Sequence, residues 1–436
     1  MVGINSIIKR SAGWLPAIGL AAGIGFALSG CTRPPEEDAQ RIQFSIWGSV
    51  QQQQAEQQII DAFEEEHPDI KVDLYIIGAR YADQIQAMMV GNVAPDVFMV
   101  NLYNYYEWAS RGVLEDLTEE YEALAEEAEF LHIPDRIVRW NDRIYSFPIN
   151  AHGHVTFTNF DALEEAGIEL PEEGLTWEFM EEIAPRLSRR HGNPDAPTDY
   201  LFQMPAANII FWQHGVQFFD DLSQPTEVTI NTPEAVEALK FIRRMYQSGY
   251  VVPEEVVADE GTYQLFRDGR VAFYFNGRWM TPEFDGRTDF EWDVRPMVTG
   301  PESGITQHGG TTLGVWSGSH RQEAARKFAR FYASKKGATM AMHFQRNVPP
   351  YREAAYGDEY LSLRPPESMH HFSETMEEGA SQFILYAPGV QEVARLFTAR
   401  MQQALAQPSI PPEQIIRGME EDFERWLQRM KERGIL

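Results

Sequence analysis

Cysteine is almost absent: Cys31 is the single one in 436 residues. No intramolecular disulfide can form, so the folded chain rests on its core alone. Basic residues are also scarce, 37 against 65 acidic ones, for a formal net charge of -28. That field repels nucleic acid and anionic membrane surfaces and favours solubility. It leaves the sign of any internal pocket open. The Gly-x-x-x-x-Gly-Lys-Ser/Thr loop of P-loop nucleotide hydrolases is missing, and so is His-Glu-x-x-His. Gly314-Val315-Trp316-Ser317-Gly318 places its serine one position too late for a nucleophile elbow. His152/His154 and His370/His371 are paired in sequence, but no cysteine or clustered acid is spaced to complete a metal site. No cofactor and no metal are expected. There is no internal repeat, and no low-complexity tract beyond Gln51 to Gln54.

Apolar residues make up 43% and aromatics 12%, enough for packed cores, and the length predicts two or three domains or lobes. The N-terminus has its own grammar. Lys9 and Arg10 precede an uncharged segment from Ser11 to Gly30, rich in Ala, Gly, Ile and Leu, which ends in Leu28-Ser29-Gly30-Cys31. This is the order of an export signal. A permanent anchor helix is the competing reading, but Gly13, Gly19, Gly23, Gly25 and Pro16 make it a mediocre span. Leu-Ser-Gly-Cys resembles the bacterial lipobox. That resemblance implies cleavage after residue 30 and lipidation of Cys31, with residues 31–40 as a polar tether.

Beyond the tether, Ile42, Phe44 and Ile46 alternate as in a strand. Ile59, Ile60 and Phe63 then share one face of a helix that His67-Pro68 ends. A second alternation, Ile70 to Ile76, is followed by a helix from Tyr81 to Val90 and a short apolar strand from Asp96 to Val100. This order predicts parallel βα units, with a ligand crevice at the strand C-termini. Thr176 and Thr232 read as helix N-caps, the first for a helix to Arg190 and the second, with Pro233 and Glu234, for one to Gln247. Further helices are predicted from Ala324 to Ser334 and from Pro412 to Arg433.

Six segments, in order, resemble the family 1 extracellular solute-binding proteins of ABC transporters, the group of maltose- and oligosaccharide-binding proteins. They are Trp47-Gly48 with the helix ending at His67-Pro68; Ala94-Pro95-Asp96-Val97 with Arg111 to Leu117; and Tyr145-Ser146-Phe147-Pro148 with Phe157-Thr158-Asn159 and Asp161-Ala162-Leu163. Thr176-Trp177-Glu178-Phe179 follows, then Phe266 to Phe273 with Asn276-Gly277-Arg278-Trp279, then Gly309-Gly310 with Leu313-Gly314-Val315 and Ala324 to Phe328. Asn159-Phe160 and Asn150-Ala151-His152 depart from the commoner family pattern, which bears on the ligand rather than the fold.

The resemblance implies an α/β, two-lobed periplasmic-binding-protein type II fold, each lobe a mostly parallel sheet flanked by helices. By analogy the first lobe takes 41–150 plus 298–344 and the second 151–297 plus 345–436. Crossings near Pro148 to Ala151, Pro296 to Val298 and Asn347 to Pro349 would act as hinges. The implied function is capture of a sugar or oligosaccharide outside the cytoplasm and delivery to an ABC permease. The implied chain is a monomer in the periplasm or at the cell surface, and not an enzyme.

A sugar offers hydroxyls at its edge and C–H patches on its faces, so its site needs aromatic platforms with polar groups around them. Trp279 is the first candidate, because the matching aromatic of the family stacks on ligand. Trp47 closes the first strand. Gly309 and Gly310 allow close backbone approach. Asp96 and Asn101 flank the third strand, and Tyr81, Asn150, His152, Trp212, Arg278 and Arg352 complete the set. Two other classes fit the sequence. One is a surface-anchored carbohydrate-active hydrolase, since 65 acidic residues always contain carboxylate pairs. The other is a binder of a non-sugar solute such as a glycerol phosphate ester, for which Arg80, Arg278 and Arg352 are conveniently placed.

Overall fold

A computed structural model of the chain describes residues 40–48, 50–189, 193–345 and 347–436. The expected signal peptide (1–30), Cys31 and the tether up to residue 39 lie outside the described residues. In chain order the strands are β1 (Gln40–Trp47), β2 (Ile70–Ile77), β3 (Val97–Asn101), β4 (Arg139–Trp140), β5 (Arg143–Ile144), β6 (Phe147–Gly153), β7 (Val155–Asn159), β8 (Tyr200–Phe202), β9 (Val271–Asn276), β10 (Trp292–Arg295), β11 (Thr306–Val315) and β12 (Ser381–Gln382).

The alternation in β1 does what period-two patterning demands. Ile42, Phe44 and Ile46 are all buried, under the helix Val50–Glu66 with its Ile59, Ile60 and Phe63. The helix Gln322–Ala333 closes the same core, its Phe328 and Tyr332 rings 5.1 and 5.7 Å from Phe44. Each such fully buried aromatic contributes about 1.5–3 kcal/mol of transfer free energy. The first sheet runs β12–β11–β3–β1–β2, with β6 also on β11. The second runs β10–β7–β9–β8. It packs two aromatic clusters. Phe157, Phe266, Tyr274, Phe284 and Trp292 form one; Trp177, Phe202, Phe241 and Phe275 form the other.

Parallel pairing joins β1 to β2 and β3, β11 to β12, and β8 to β9. Elsewhere the two sheets are antiparallel: β11 with β3 and β6, and β7 with β9 and β10. The mixture has a simple cause. The chain passes between sheets by running a strand straight on, and a strand that arrives this way need not follow the local βα direction. β6 and β7 are one extended run, with only His154 between Gly153 and Val155. The first passage therefore lies at 153–155, beyond the boundary expected near Ala151. A second leads from β10 across 296–305 into β11. A third brings Val348 back against Ala151 by mutual backbone hydrogen bonds of 3.0 Å. Ser381–Gln382 then rejoins the first sheet beside β11, although 345–436 was expected in the second lobe.

The predicted caps form. Thr176 and Thr232 hydroxyls accept from the amides of Phe179 and Ala235, each at 3.2 Å. The helix from Thr176 stops at Leu187, short of Arg190, because Ser188 turns extended and bridges Thr198. Among the described residues no helix is long and apolar enough to cross a membrane.

One buried amide ties the second passage down. Gln213 is fully buried, accepts from Trp177 Nε1 at 2.7 Å, and donates to Val298 O at 2.7 Å and Ile305 O at 3.1 Å. Gln213→Met keeps the volume but strands those three partners. At about 1 kcal/mol or more for each buried unpaired group, we expect a loss of about 3 kcal/mol in urea unfolding. A loss below about 1 kcal/mol would mean that water replaces the amide there.

Candidate ligand site at the junction of the two sheets

Strand register brings the predicted residues to one end of the first sheet. Asn101 pairs with Thr311, and Thr311 with Asn150, so one row crosses β3, β11 and β6. Next along come Gly310 opposite Ala151, then Gly309 opposite His152. Trp47 ends β1 at the same C-terminal end of the parallel strands, where ligands enter open α/β sheets. Its half-buried indole meets Tyr81 edge-on at 5.2 Å, and the Tyr81 hydroxyl donates to Ser45 O at 2.9 Å. Tyr81 thus backs Trp47.

Trp279 arrives from the second sheet. β9 ends at Asn276, whose carboxamide oxygen accepts from the Gly277 amide at 2.9 Å, and a short 3-10 turn (Arg278–Met280) follows. The indole folds back over its own loop: a Cβ on Gly277 would stand 1.7 Å from the ring. Glycine is therefore required by close approach. Trp279 lies 4.4 Å from His152 and 5.8 Å from His154, ring centre to ring centre. Gly309 serves the same cluster, since a Cβ there would meet His152 Nε2 at 2.3 Å. The two glycines lie inside β11 rather than in a loop, and they make room for His152 and for Ile137.

Polar side chains continue the cluster. Gln307, two residues before Gly309, accepts from Asn208 Nδ2 at 2.8 Å through its side chain and from the His154 amide at 3.1 Å through its carbonyl. Burial raises the Tyr103 hydroxyl above its ordinary range, with the Gln307 side chain opposing the shift; the Tyr103 ring meets Phe383 at 4.8 Å, and its carbonyl accepts from Gln391 at 3.3 Å. Asn347 donates to Asn150 Oδ1 at 3.1 Å. Tyr103, Asn208, Gln307 and Phe383 had no place among the predicted site residues; Asn347 figured there only in an expected crossing and His154 only as half of a metal pair. The aromatic run from Tyr103 to Trp108 was a usable signal; nothing local marks the others.

Three predicted residues sit elsewhere. Asp96 is at the opposite, N-terminal end of β3. It accepts from the Gln43 amide at 2.8 Å and from the Ser319 hydroxyl, so it staples β1 to the loop after β11. Trp212 is a core residue against Phe218. Arg352 is gripped by both oxygens of Glu377 at 2.8 Å and by Glu129 at 2.8 Å. Asn101 reaches the right end, but its side chain caps the next helix by accepting from Tyr103 N at 2.9 Å. Arg278 is buried, donating to Asn347 O at 3.2 Å with its guanidinium 4.8 Å over the Tyr360 ring.

The histidines of the junction are kept neutral. Burial drives the His152 imidazole down to about 3 and His154 to about 4, with His154 adding to the effect on His152. His308, next to Gly309, falls to about 3, chiefly through burial. Its proton is placed by its neighbours. Ser381 donates to Thr375 O at 2.6 Å, so its oxygen accepts from His308 Nδ1 at 3.0 Å, and His308 Nε2 accepts from Tyr386 at 3.0 Å. His152 Nδ1 is buried with no hydrogen-bond partner among the described residues.

Gly277→Ala should displace the Trp279 indole, read as a shift of its fluorescence with secondary structure unchanged; an unmoved spectrum would mean the ring has another resting place. The histidines also set a pH dependence. Their folded values lie below 6.5, so between about pH 6.5 and 4 the unfolded chain takes up protons that the native junction refuses. Their stabilisation is complete above about pH 6.5 and is lost on acidification. The melting temperature should fall from about pH 6.5 to 5, less steeply in His154→Gln; parallel slopes would remove the histidines from the account.

Comparison with known proteins follows the same lines. Residues 58–362 match the family model of the bacterial extracellular solute-binding proteins. The xylose/arabinose-binding protein of Haloferax volcanii is 23% identical over 70% of this chain and 68% of its own. The mannitol-binding protein of Pseudomonas aeruginosa is 22% identical over 71% and 73%. Among solved structures, an ABC substrate-binding protein of Listeria monocytogenes in complex with cycloalternan superposes with a TM-score of 0.76 at 23% identity, covering 90% of this chain and 100% of that one. The two-sheet architecture is that of these two-lobed binding proteins, and the chain belongs to the bacterial extracellular solute-binding protein family.

Proposed function

We propose that this protein captures a neutral sugar or oligosaccharide between its two lobes and hands it, unaltered, to an ABC permease. The observation that carries this reading is the make-up of the junction: an indole bracketed by two neutral imidazoles, with amides and a phenol beside it. Flat aromatic faces suit C–H patches, and groups that both donate and accept suit hydroxyls. Relatives named for xylose/arabinose and for mannitol fit the same chemistry.

An anionic solute would need convergent cations. Of the three arginines weighed, Arg352 is saturated by Glu377 and Glu129, and Arg278 is buried against Asn347 and Tyr360. Arg80 lies in an exposed pair with Asp83. This favours the neutral ligand over a phosphate ester. A hydrolase would bring two carboxylates to the scissile bond, whereas the side chains gathered here are amide, hydroxyl, imidazole and indole. The passages at 153–155, 296–305 and 347–349 are the proposed hinges, and a ligand touching both lobes would shift the balance toward the closed form. The lobes are proposed as 41–153 with 306–344, and as 155–295 with most of 350–436. A lipid on Cys31 would hold the monomer at a membrane outside the cytoplasm.

A thermal-shift screen over mono-, di- and oligosaccharides, with glycerol phosphate esters alongside, tests the reading, because a ligand that binds only the native state raises the melting temperature. A sugar should stabilise the protein and be recovered intact. Trp279→Ala should weaken that sugar roughly tenfold to a thousandfold, as expected for loss of a central aromatic. Stabilisation by the phosphate esters alone, or turnover of the sugar, would overturn it.

A further inference from the structure

We propose that His370, His371 and Glu374 form a site for one borderline divalent metal ion of the Zn2+ type, apart from the ligand junction. Glu374 follows the two histidines by four and three residues, and the short helix His370–Glu374 brings it to them. On a helix Glu374 shares a face with His370, four residues before it, and with His371, three before it. The imidazole rings stand 4.0 Å apart, and Glu374 Oε2 lies 2.8 Å from His371 Nδ1. One donor atom from each of the three residues falls within 4.8 Å of the others.

A tetrahedral ion held about 2.1 Å from each donor needs ligands about 3.4 Å apart. The ion would displace the proton that His371 Nδ1 donates to Glu374, opening that pair, while His370 closes in; His370 and Glu374 are exposed and have rotamer freedom for this movement. The backbone beneath them is held. Phe372 is buried, the Ser373 hydroxyl donates to Ala355 O at 2.7 Å, and Asp293 accepts from the Ser368 amide at 3.0 Å and hydroxyl at 2.6 Å. Exposed ligands on an anchored turn are the arrangement a metal needs to bind without reordering the chain. Two imidazoles and a carboxylate favour Zn2+, Co2+, Ni2+ or Cu2+ over Mg2+ or Ca2+, with water in the remaining position. The site would also bear on the lobes. Thr375, the next residue, fills the space over Gly153 so closely that a Cβ there would lie 2.3 Å from it. A metal on this turn therefore stiffens the support of the first passage.

The test is a calorimetric titration of the metal-free full chain with Zn2+, with Co2+ absorption as a second readout of ligand type. One ion per chain should bind with a dissociation constant on the order of micromolar, and His370→Ala and Glu374→Gln should each weaken it at least about tenfold. Both substitutions are at exposed positions, and an unchanged melting temperature without metal confirms their fold. Equal Zn2+ affinity in either variant, equal binding of Mg2+, or no binding below about 1 mM would overturn the site.

Discussion

One antiparallel pairing holds this molecule in register, that of β6 with β11. β6 runs on into β7, so the strand that completes the first sheet opens the second. β11 enters from the second passage and pairs with β3 and β6 at once. A slip of one residue there would turn every side chain of β6 to the opposite face. It would move His152 away from Trp279 and out of the space that Gly309 leaves for it. The position of the candidate site is thus a consequence of sheet register, and its glycines are a condition of that register.

The electrostatics follow from the same place. An overall charge of -28 coexists with a junction where three histidines are neutral and a buried guanidinium is tied to a carbonyl and an aromatic ring. Apart from that guanidinium, the junction presents dipoles and ring faces. Some of its polar atoms are paired with one another, as Asn208 is with Gln307 and Asn347 with Asn150, while His152 Nδ1 and Asn347 Oδ1 have no hydrogen-bond partner among the described residues.

Much of the local structure was legible because its causes are local. The alternation in β1, the threonine caps and the amphipathic stripe of the last helix each depend on residues a few positions apart. The glycine and tryptophan after β9 were legible through family resemblance, and the structure adds the reason, an indole lying on its own glycine. Asp96 precedes β3 and so lies at the N-terminal end, away from the crevice that the βα order predicts at the strand C-termini; its carboxylate is taken up by the Gln43 amide and the Ser319 hydroxyl, residues distant in sequence. Arg352 misled because its carboxylates, Glu129 and Glu377, are distant in sequence.

By itself the sequence determined the alternation of strands and helices, the caps, the scarcity of covalent and cationic options, and the family pattern. All of these are written in neighbouring residues or in composition. Tertiary structure alone decided that β12 returns to the first sheet, that Gln307 and Asn208 meet, and that His152 and His154 bracket Trp279. The reason is physical: such contacts are chosen by sheet register and by which buried polar groups find partners when the whole core closes, and neither is a property of any short stretch of chain.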